Sequence, residues 1–430
     1  MRSYTSTSER RPWMASAIWG WRLELSLAFA TVMVLAVADA VSPVGPFVVV
    51  TGALVALWRR PDLRKRLEAT ARDNREIRWL QYALWHCAVV GRDGSIPKVE
   101  RSARLPVGRR YLICLPIGLH CEALQDRSNE LAAALSAREV RVKAIAQNAR
   151  YVEVAVIYAN AFPALIPSPL LHRPSLSLWE SLAFGTGQDG LGVTIHLPEH
   201  NLLIGGEPGS GKSVALSSLV AAAALDPSVT LTLLDGKQVE LAPWSPLAER
   251  FVGADQGEAV GALEDLRELM DRRYAALAAS RKRKLTPHDL DGLHVVVIDE
   301  LSFYLRGGKK EAREQFAELL RDLVSRGRAA GVIVVASTQK PSHEVVPTWI
   351  RDLFSFRLAF RCTSPDASDT ILGQGWASQG YSAATIDPGM RGVGYLLAEG
   401  GLPVLIKTPY LSDGEIDQLA HRALRLRGAR

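Results

Sequence analysis

The stretch Gly206-Glu207-Pro208-Gly209-Ser210-Gly211-Lys212-Ser213 has the spacing G-x-x-x-x-G-K-S, and it constrains the fold more than any other part of the chain. Glycines at this spacing let backbone N–H groups curl around a single anion. A helix starting at the lysine adds its partial positive charge at the same point. Such a loop needs a buried strand before it and a helix after it. Both flanks fit. Asn201-Leu202-Leu203-Ile204 is a short apolar run suited to a buried strand. Val214 to Leu225 is rich in Ala, Leu and Val and has no Gly or Pro, as a helix would. The expected chemistry is the binding of a nucleotide, with all of Gly206–Ser213 around its phosphates. Lys212 would reach the β- and γ-phosphates and the Ser213 hydroxyl would bind Mg²⁺. ATP and Mg²⁺ are the ligands implied.

A second chemical signal lies about 86 residues further on. Val295-Val296-Val297-Ile298-Asp299-Glu300 is four apolar residues and then two acids. A buried central strand of this kind delivers both carboxylates to its C-terminal edge, where open α/β sheets bind ligands. Asp299 is expected to hold Mg²⁺, directly or through water, and Glu300 to orient and polarise the attacking water. Gln339 ends another apolar run, Gly331 to Thr338, and either senses the γ-phosphate or caps the strand.

Strands and helices alternate from Ser175 onward, with Leu231–Asp235, His294–Glu300 and Gly331–Gln339 as the strand-like runs. That alternation predicts a mainly parallel sheet with helices on both faces. Between the first two runs, Gly257 to Lys284 reads as a charged helix ending in Arg281-Lys282-Arg283-Lys284, a solvated basic face, with DNA contact as the lesser alternative.

The N-terminal part is different. A chain of 430 residues divides into two or three domains. Residues 1–22 are polar and basic, and Leu23 to Trp58 holds no Lys or Arg. Within it Leu25 to Ala38 and Val44 to Trp58 are apolar runs joined by Asp39-Ala40-Val41-Ser42-Pro43, and Arg59, Arg60, Arg64, Lys65 and Arg66 follow at once. The expectation is a two-helix transmembrane hairpin with both termini in the cytoplasm, since basic residues flank it on both sides. Ala38-Asp39-Ala40 also resembles a signal-peptidase site. Cleavage there would export the phosphate loop away from ATP, so that reading is set aside. Pro61 to Arg101 reads as a juxtamembrane helix, with Trp79, Tyr82 and Trp85 at helical spacing. Residues 101–161 read as a small α/β unit, with strands at 111–115 and 152–157 and a helix over 124–137. Phe162 to Pro174, with its prolines, reads as a linker. Cys87, Cys114, Cys121 and Cys362 have no C-x-x-C spacing, which argues against a zinc site and for reduced thiols. The net charge of +6 permits binding to nucleic acid or anionic lipid.

Several further runs carry a family resemblance. Ser325-Arg326-Gly327-Arg328-Ala329-Ala330-Gly331-Val332 followed by Ala336-Ser337-Thr338-Gln339-Lys340-Pro341-Ser342 resembles the K-A-R-A-A-G-I-H…A-T-Q-R-P-S stretch of the FtsK/SpoIIIE family. Asp235-Gly236-Lys237-Gln238-Val239-Glu240-Leu241 is similar to its D-P-K-x-x-E-L, Phe356–Phe360 to its T-R-I-A-F, and Asp369-Thr370-Ile371-Leu372 to its R-T-I-L. The resemblance implies a RecA-like P-loop ATPase domain over residues 175–410. It also implies a membrane-anchored, ring-forming homo-oligomer, a hexamer, that pumps double-stranded DNA. Arg328 sits where the family places an arginine that acts on the neighbouring subunit's ATP; the alternative is an ion pair with Asp322 or Glu318. Pro365 and Asp369 stand where the family often has Lys and Arg, leaving Arg351, Arg357 and Arg361 as candidates for DNA contact there.

The expected layout is therefore a basic N-terminus (1–22), the hairpin (23–58), a juxtamembrane helical segment (59–100), a small α/β domain with linker (101–174), the ATPase domain (175–410) and a C-terminal helix (411–430). A two-helix anchor with this motor is similar to conjugal translocases of actinobacterial plasmids and integrative elements, so conjugal DNA transfer is the leading expectation. A septal chromosome-segregation pump and a secretion-type ATPase moving protein are the alternatives.

Overall fold

The computed structural model describes residues 22–42, 44, 46, 48–52, 59–289, 292–339, 341–342, 345–398 and 400–428. The chain divides into two compact units, Met1–Asn160 and Ala161–Arg430. The proline-rich run Phe162–Pro174 is thereby placed in the second unit, where Leu170 is buried in its core.

In the first unit, α1 (Arg22–Val41) leaves Phe29, Val32, Met33, Val34 and Val37 exposed. The expected hairpin is not supported: among the described residues no helix is long and apolar enough to cross a membrane. Arg22, Glu24 and Asp39 leave an uncharged stretch from Leu25 to Ala38, about 21 Å of helix against a hydrocarbon core of about 30 Å. Residues 45, 47 and 53–58 of the second expected arm lie outside the described residues.

Helix α2 (Pro61–His86) begins with Pro61 in its first turn, where a missing N–H costs nothing. Its Leu80, Ala83 and Leu84 are buried in the core of an antiparallel sheet of order β1-β2-β4-β3. The strands are β1 (Lys98–Leu105), β2 (Gly108–Cys114), β3 (Glu139–Ala144) and β4 (Tyr151–Ile157). Tyr111 and Ile113 of β2 and Val152, Val154 and Val156 of β4 alternate inward, the period of a half-buried strand. The single helix expected over 124–137 is instead two short ones, α3 (Cys121–Asp126) and α4 (Ser128–Ala134). Arg127 breaks them, its guanidinium donating to the Cys87 carbonyl at 3.3 Å and to Glu130 at 2.9 Å.

The second unit is built on one sheet of order β6-β5-β14-β13-β12-β7-β11-β10-β8-β9. Its parallel part is β7 (Leu202–Gly205), β8 (Thr230–Asp235), β9 (Arg250–Val252), β10 (His294–Asp299), β11 (Val332–Thr338) and β12 (Phe356–Phe360). The strands β13 (Val393–Leu397), β14 (Val404–Lys407), β5 (Leu182–Gly187) and β6 (Gly192–Ile195) extend it antiparallel beyond β12. Buried Asn201 sets the position of β7. Its side-chain amide donates to the Val324 carbonyl at 2.8 Å and accepts the Val334 N–H at 2.7 Å.

Helix α5 (Lys212–Ala224) is buried almost all round, which explains its lack of a polar face. One neighbour is the C-terminal helix α11 (Asp413–Gly428), whose Leu419, Ala420 and Ala423 join the same core. Arg427 of α11 donates to the carbonyls of Ala223, Ala224 and Asp226, placing a cation on the orphan acceptors at the C-terminus of α5. The charged helix expected over 257–284 is α6 (Gln256–Ala279), ending before the basic run. Of that run, Lys282 pairs with Asp289, and Lys284 with Glu199 at 2.5 Å. Cys87, Cys121 and Cys362 are buried free thiols, and burial pushes that of Cys362 up to about 12.

His294, first in β10, is buried and shares a 2.8 Å hydrogen bond between its Nε2 and the Thr232 hydroxyl. Burial, and then the Arg273 guanidinium, pushes its pKa from 6.5 down to about 4. Its folded pKa lies below its unfolded one, so it contributes stability that is fully present above pH 6.5. That stability is lost as pH falls through 4, at a cost of about 3 kcal/mol. Denaturant unfolding of the wild type and of His294→Gln between pH 7 and 4 should show the steeper acid loss in the wild type. Identical pH profiles would reject this account.

Candidate nucleotide site

The phosphate loop joins β7 to α5 at the C-terminal edge of the parallel strands. Two of its glycines are required by conformation. Gly209 has φ 77° in open space. Gly211 has φ 115°, and a Cβ there would lie 2.6 Å from the Gly392 Cα, so the loop is packed directly on the turn before β13. Gly392 also donates its N–H to the Ser210 carbonyl at 2.8 Å. Pro208 lies at the exposed crest of the loop.

Lys212 opens α5 and is only 2% exposed. Its ammonium donates to Asp299 Oδ1 at 2.9 Å and to Ser337 Oγ at 3.3 Å, while Ser337 Oγ donates to the same Asp299 oxygen at 2.8 Å. The loop after β7, the end of β10 and the end of β11 therefore meet at one buried point. The pairing register explains why: β11 lies between β7 and β10, with Ser337 opposite Ile204 and Ala336 opposite Ile298. Sequence reasoning paired Lys212 with Asp299 functionally but missed Ser337. The available signal was a hydroxyl pair, Ser337-Thr338, ending an otherwise apolar strand.

Asp299 Oδ2 is buried without a hydrogen-bond partner. A buried carboxylate oxygen left open in this way is costly unless a cation or donor arrives. The half-buried Ser213, in the first turn of α5, supplies a second hard oxygen. Those donors suit Mg²⁺, which takes one or two protein oxygens and completes its shell with phosphate and water.

Glu300 follows β10 in a left-handed conformation, φ 54° and ψ 71°. A non-glycine residue in that region costs about 1–3 kcal/mol, a strain that clusters at functional sites. Its carboxylate accepts from the Ser302 hydroxyl, from Thr338 Oγ1 at 3.0 Å and from the Gln339 N–H at 3.0 Å. Gln339 thus joins the acidic pair through its backbone. Ser302 and Thr338, both absent from the sequence-level site, hold the acid in place.

Other motif residues lie elsewhere. Asp235 is fully buried and its carboxylate accepts four backbone N–H groups, from Lys237, Gln238, Val239 and Leu241, at 2.9–3.1 Å. It folds the loop after β8. Arg328 is half-buried in the turn between α8 (Lys310–Arg326) and β11, at the opposite end of β11 from the phosphate loop. Asp322 receives Arg326, which also pairs with Asp271 at 2.6 Å.

The expected replacements for DNA contact turn inward. Arg351 is buried beside Asp352 at 2.8 Å. Arg357 lies 3.7 Å from the same acid, and burial lowers its pKa. Arg361 pairs with Glu207. Pro365 starts helix α10 (Pro365–Leu372), and Asp369 accepts the N–H groups of Gly375 and Ala377, both at 2.8 Å.

A phosphate loop on one strand, acids two strands away and a polar strand end between them define a RecA-like P-loop ATPase domain. Residues 179–375 match the model of the FtsK/SpoIIIE family. DNA translocase FtsK of Bacillus cereus is 26% identical over 354 residues, covering 76% of this chain and 43% of that protein. FtsK of Staphylococcus aureus gives the same figures. The chain thus spans less than half the length of these relatives. Among solved structures, the pCW3 conjugation coupling protein TcpA, in monomer form with ATPγS, superposes with a TM-score of 0.54 at 18% identity, covering 82% of this chain and 99% of that one. EssC (ATPases 2 and 3) of Geobacillus thermodenitrificans gives 0.51 at 15%, covering 62% and 52%. At these identities the likeness is one of fold.

Proposed function

We propose that this chain is the ATP-driven motor of a double-stranded DNA translocase that works as a homo-oligomeric ring, a hexamer, in conjugal transfer. The observation that carries the reading is the buried Lys212–Asp299–Ser337 cluster beside strained Glu300, inside the span that matches the FtsK/SpoIIIE family model. In the proposed cycle Lys212 binds the β- and γ-phosphates and Glu300 takes up the proton of the attacking water. Ser213 and Asp299 would hold Mg²⁺, which when bound would supply positive charge beside the phosphates. The DNA substrate is supported by the FtsK relatives, and the conjugal role by the fold shared with a conjugation coupling protein over most of both chains.

The apolar helix α1, with its exposed Phe29, Val32 and Met33, supports a membrane-proximal placement, and the basic residues on both sides of 23–58 support termini in the cytoplasm. Recovery of the chain in the soluble fraction after carbonate washing would remove that part of the proposal.

The decisive experiment is ATPase activity with and without double-stranded DNA across a salt series. Stimulation by DNA that fades steeply with salt and ignores sequence is expected, because a motor gripping phosphates releases counterions. No stimulation by any duplex would favour the protein-moving alternative. Strong preference for one short sequence would favour a segregation pump.

A further inference from the structure

Arg361, just after β12, takes no part in the phosphate chemistry described above. Its guanidinium pairs with Glu207, the second residue of the phosphate loop. Its carbonyl accepts the Glu207 N–H at 3.0 Å. One residue therefore holds Glu207 by both main chain and side chain. The neighbouring contacts leave the loop little freedom to find another arrangement: a Cβ on Gly205 would lie 2.3 Å from Ile371 of α10, and one on Gly211 would strike Gly392.

A carboxylate within a phosphate loop works against the loop's task. The ligand is a polyanion, and an uncompensated like charge beside it is strongly unfavourable when solvent is partly excluded. The side chain of Glu207 is only 16% exposed, so water screens it weakly.

We propose that Arg361 is a positioning residue of the nucleotide site. It cancels the Glu207 charge and fixes the first turn of the loop, so that a nucleoside triphosphate can enter. It acts through Glu207 and does not touch the nucleotide. This rests on the reading of Gly206–Ser213 as the triphosphate site.

The test uses the full chain, steady-state ATPase kinetics and binding of a fluorescent ATP analogue. Arg361→Gln should raise KM for ATP and weaken analogue binding by about tenfold or more, the factor that each 1.4 kcal/mol of lost affinity carries. Its kcat should change much less. Measured against Glu207→Gln alone, the double variant should lose little further affinity, and it should regain most of what Arg361→Gln loses, since the uncompensated charge is gone. Arg361→Lys should also recover, because the charge returns. Arg361→Gln also leaves the Glu207 charge unpaired and largely buried, so thermal unfolding of every variant is measured beside the kinetics, and a KM effect in variants that unfold at the wild-type temperature belongs to the site.

The proposal is overturned if Arg361→Gln leaves KM unchanged. It is also overturned if the double variant binds as weakly as Arg361→Gln, because Arg361 would then contact the nucleotide itself. Lys212→Ala in the same binding assay checks the underlying site independently. Retained analogue binding there would reject the triphosphate site, whatever Arg361 does.

Discussion

Glu300→Gln is expected to lower kcat for ATP hydrolysis by about 10²–10⁴-fold, the range of a positioned general base, while nucleotide binding survives. Glu300 carries no direct load in the Lys212–Asp299–Ser337 cluster, so the binding elements stay intact. Its own carboxylate is surrounded by donors: the Ser302 and Thr338 hydroxyls and the Gln339 N–H. Glutamine keeps the shape but brings an N–H₂ that cannot accept, so one of those donors loses its partner. A modest loss of thermal stability should accompany the kinetic loss. The left-handed backbone at Glu300 costs free energy in either variant, so strain does not distinguish them. Single-turnover hydrolysis together with analogue binding separates the two effects. A kcat near wild type would reject Glu300 as the residue that activates water, and the strained conformation would then need another explanation.

The legible parts of this fold are those where residue type is forced. Central parallel strands are buried on both faces, so β10 and β11 appear in the sequence as unbroken Val and Ile runs. The loop Gly206–Ser213 is legible because its φ values exclude most side chains. Edge strands lack both signals. β1, Lys-Val-Glu-Arg-Ser-Ala-Arg-Leu over 98–105, is mostly exposed and charged, so no apolar period marks it and the stretch up to Arg101 reads as helix. β5, next to the edge strand β6, lacks them for another reason: it carries glycines at 185 and 187, and its pairing with β14 joins segments far apart in sequence. The same holds for the site. Lys212, Asp299 and Glu300 announce themselves through charge next to apolar strands. Ser337 and Arg361 do not, because a hydroxyl or an arginine acquires its role only when the sheet brings it to Lys212 or to Glu207. Asp235 was recognised through its motif, but its work as a fourfold acceptor for backbone N–H groups depends on the path of the loop after β8. Along α1 the apolar pattern is plain, but the second apolar run, 44–58, lies largely outside the described residues.

Arg328→Ala should be nearly inactive in DNA-stimulated ATP hydrolysis, with a loss of about 10³–10⁵-fold if it supplies the arginine that stabilises transferring phosphate. Action on its own chain is excluded by distance. Arg328 precedes β11, whereas the phosphate loop meets the other end of that strand, where Gly206 donates to the Thr338 carbonyl at 3.3 Å. Seven residues of strand at about 3.3 Å each separate the two by about 23 Å, well beyond the reach of an arginine side chain. Arg328 cannot serve its own site without dismantling the sheet. In the proposed ring a second copy, set head to tail, would bring its Arg328 to this site; a repeated head-to-tail contact forms a ring where its rotation closes. The mixing experiment distinguishes the cases. Arg328→Ala and Lys212→Ala should each be inactive alone. Mixed, they should recover a fraction of wild-type turnover, because some interfaces then pair an intact loop with an intact arginine. If Arg328 serves only to pair with an acid of α8, Arg328→Ala will lose stability but keep its stimulated rate per folded chain. Full turnover in that variant, or no recovery on mixing two well-folded variants, would reject the shared site.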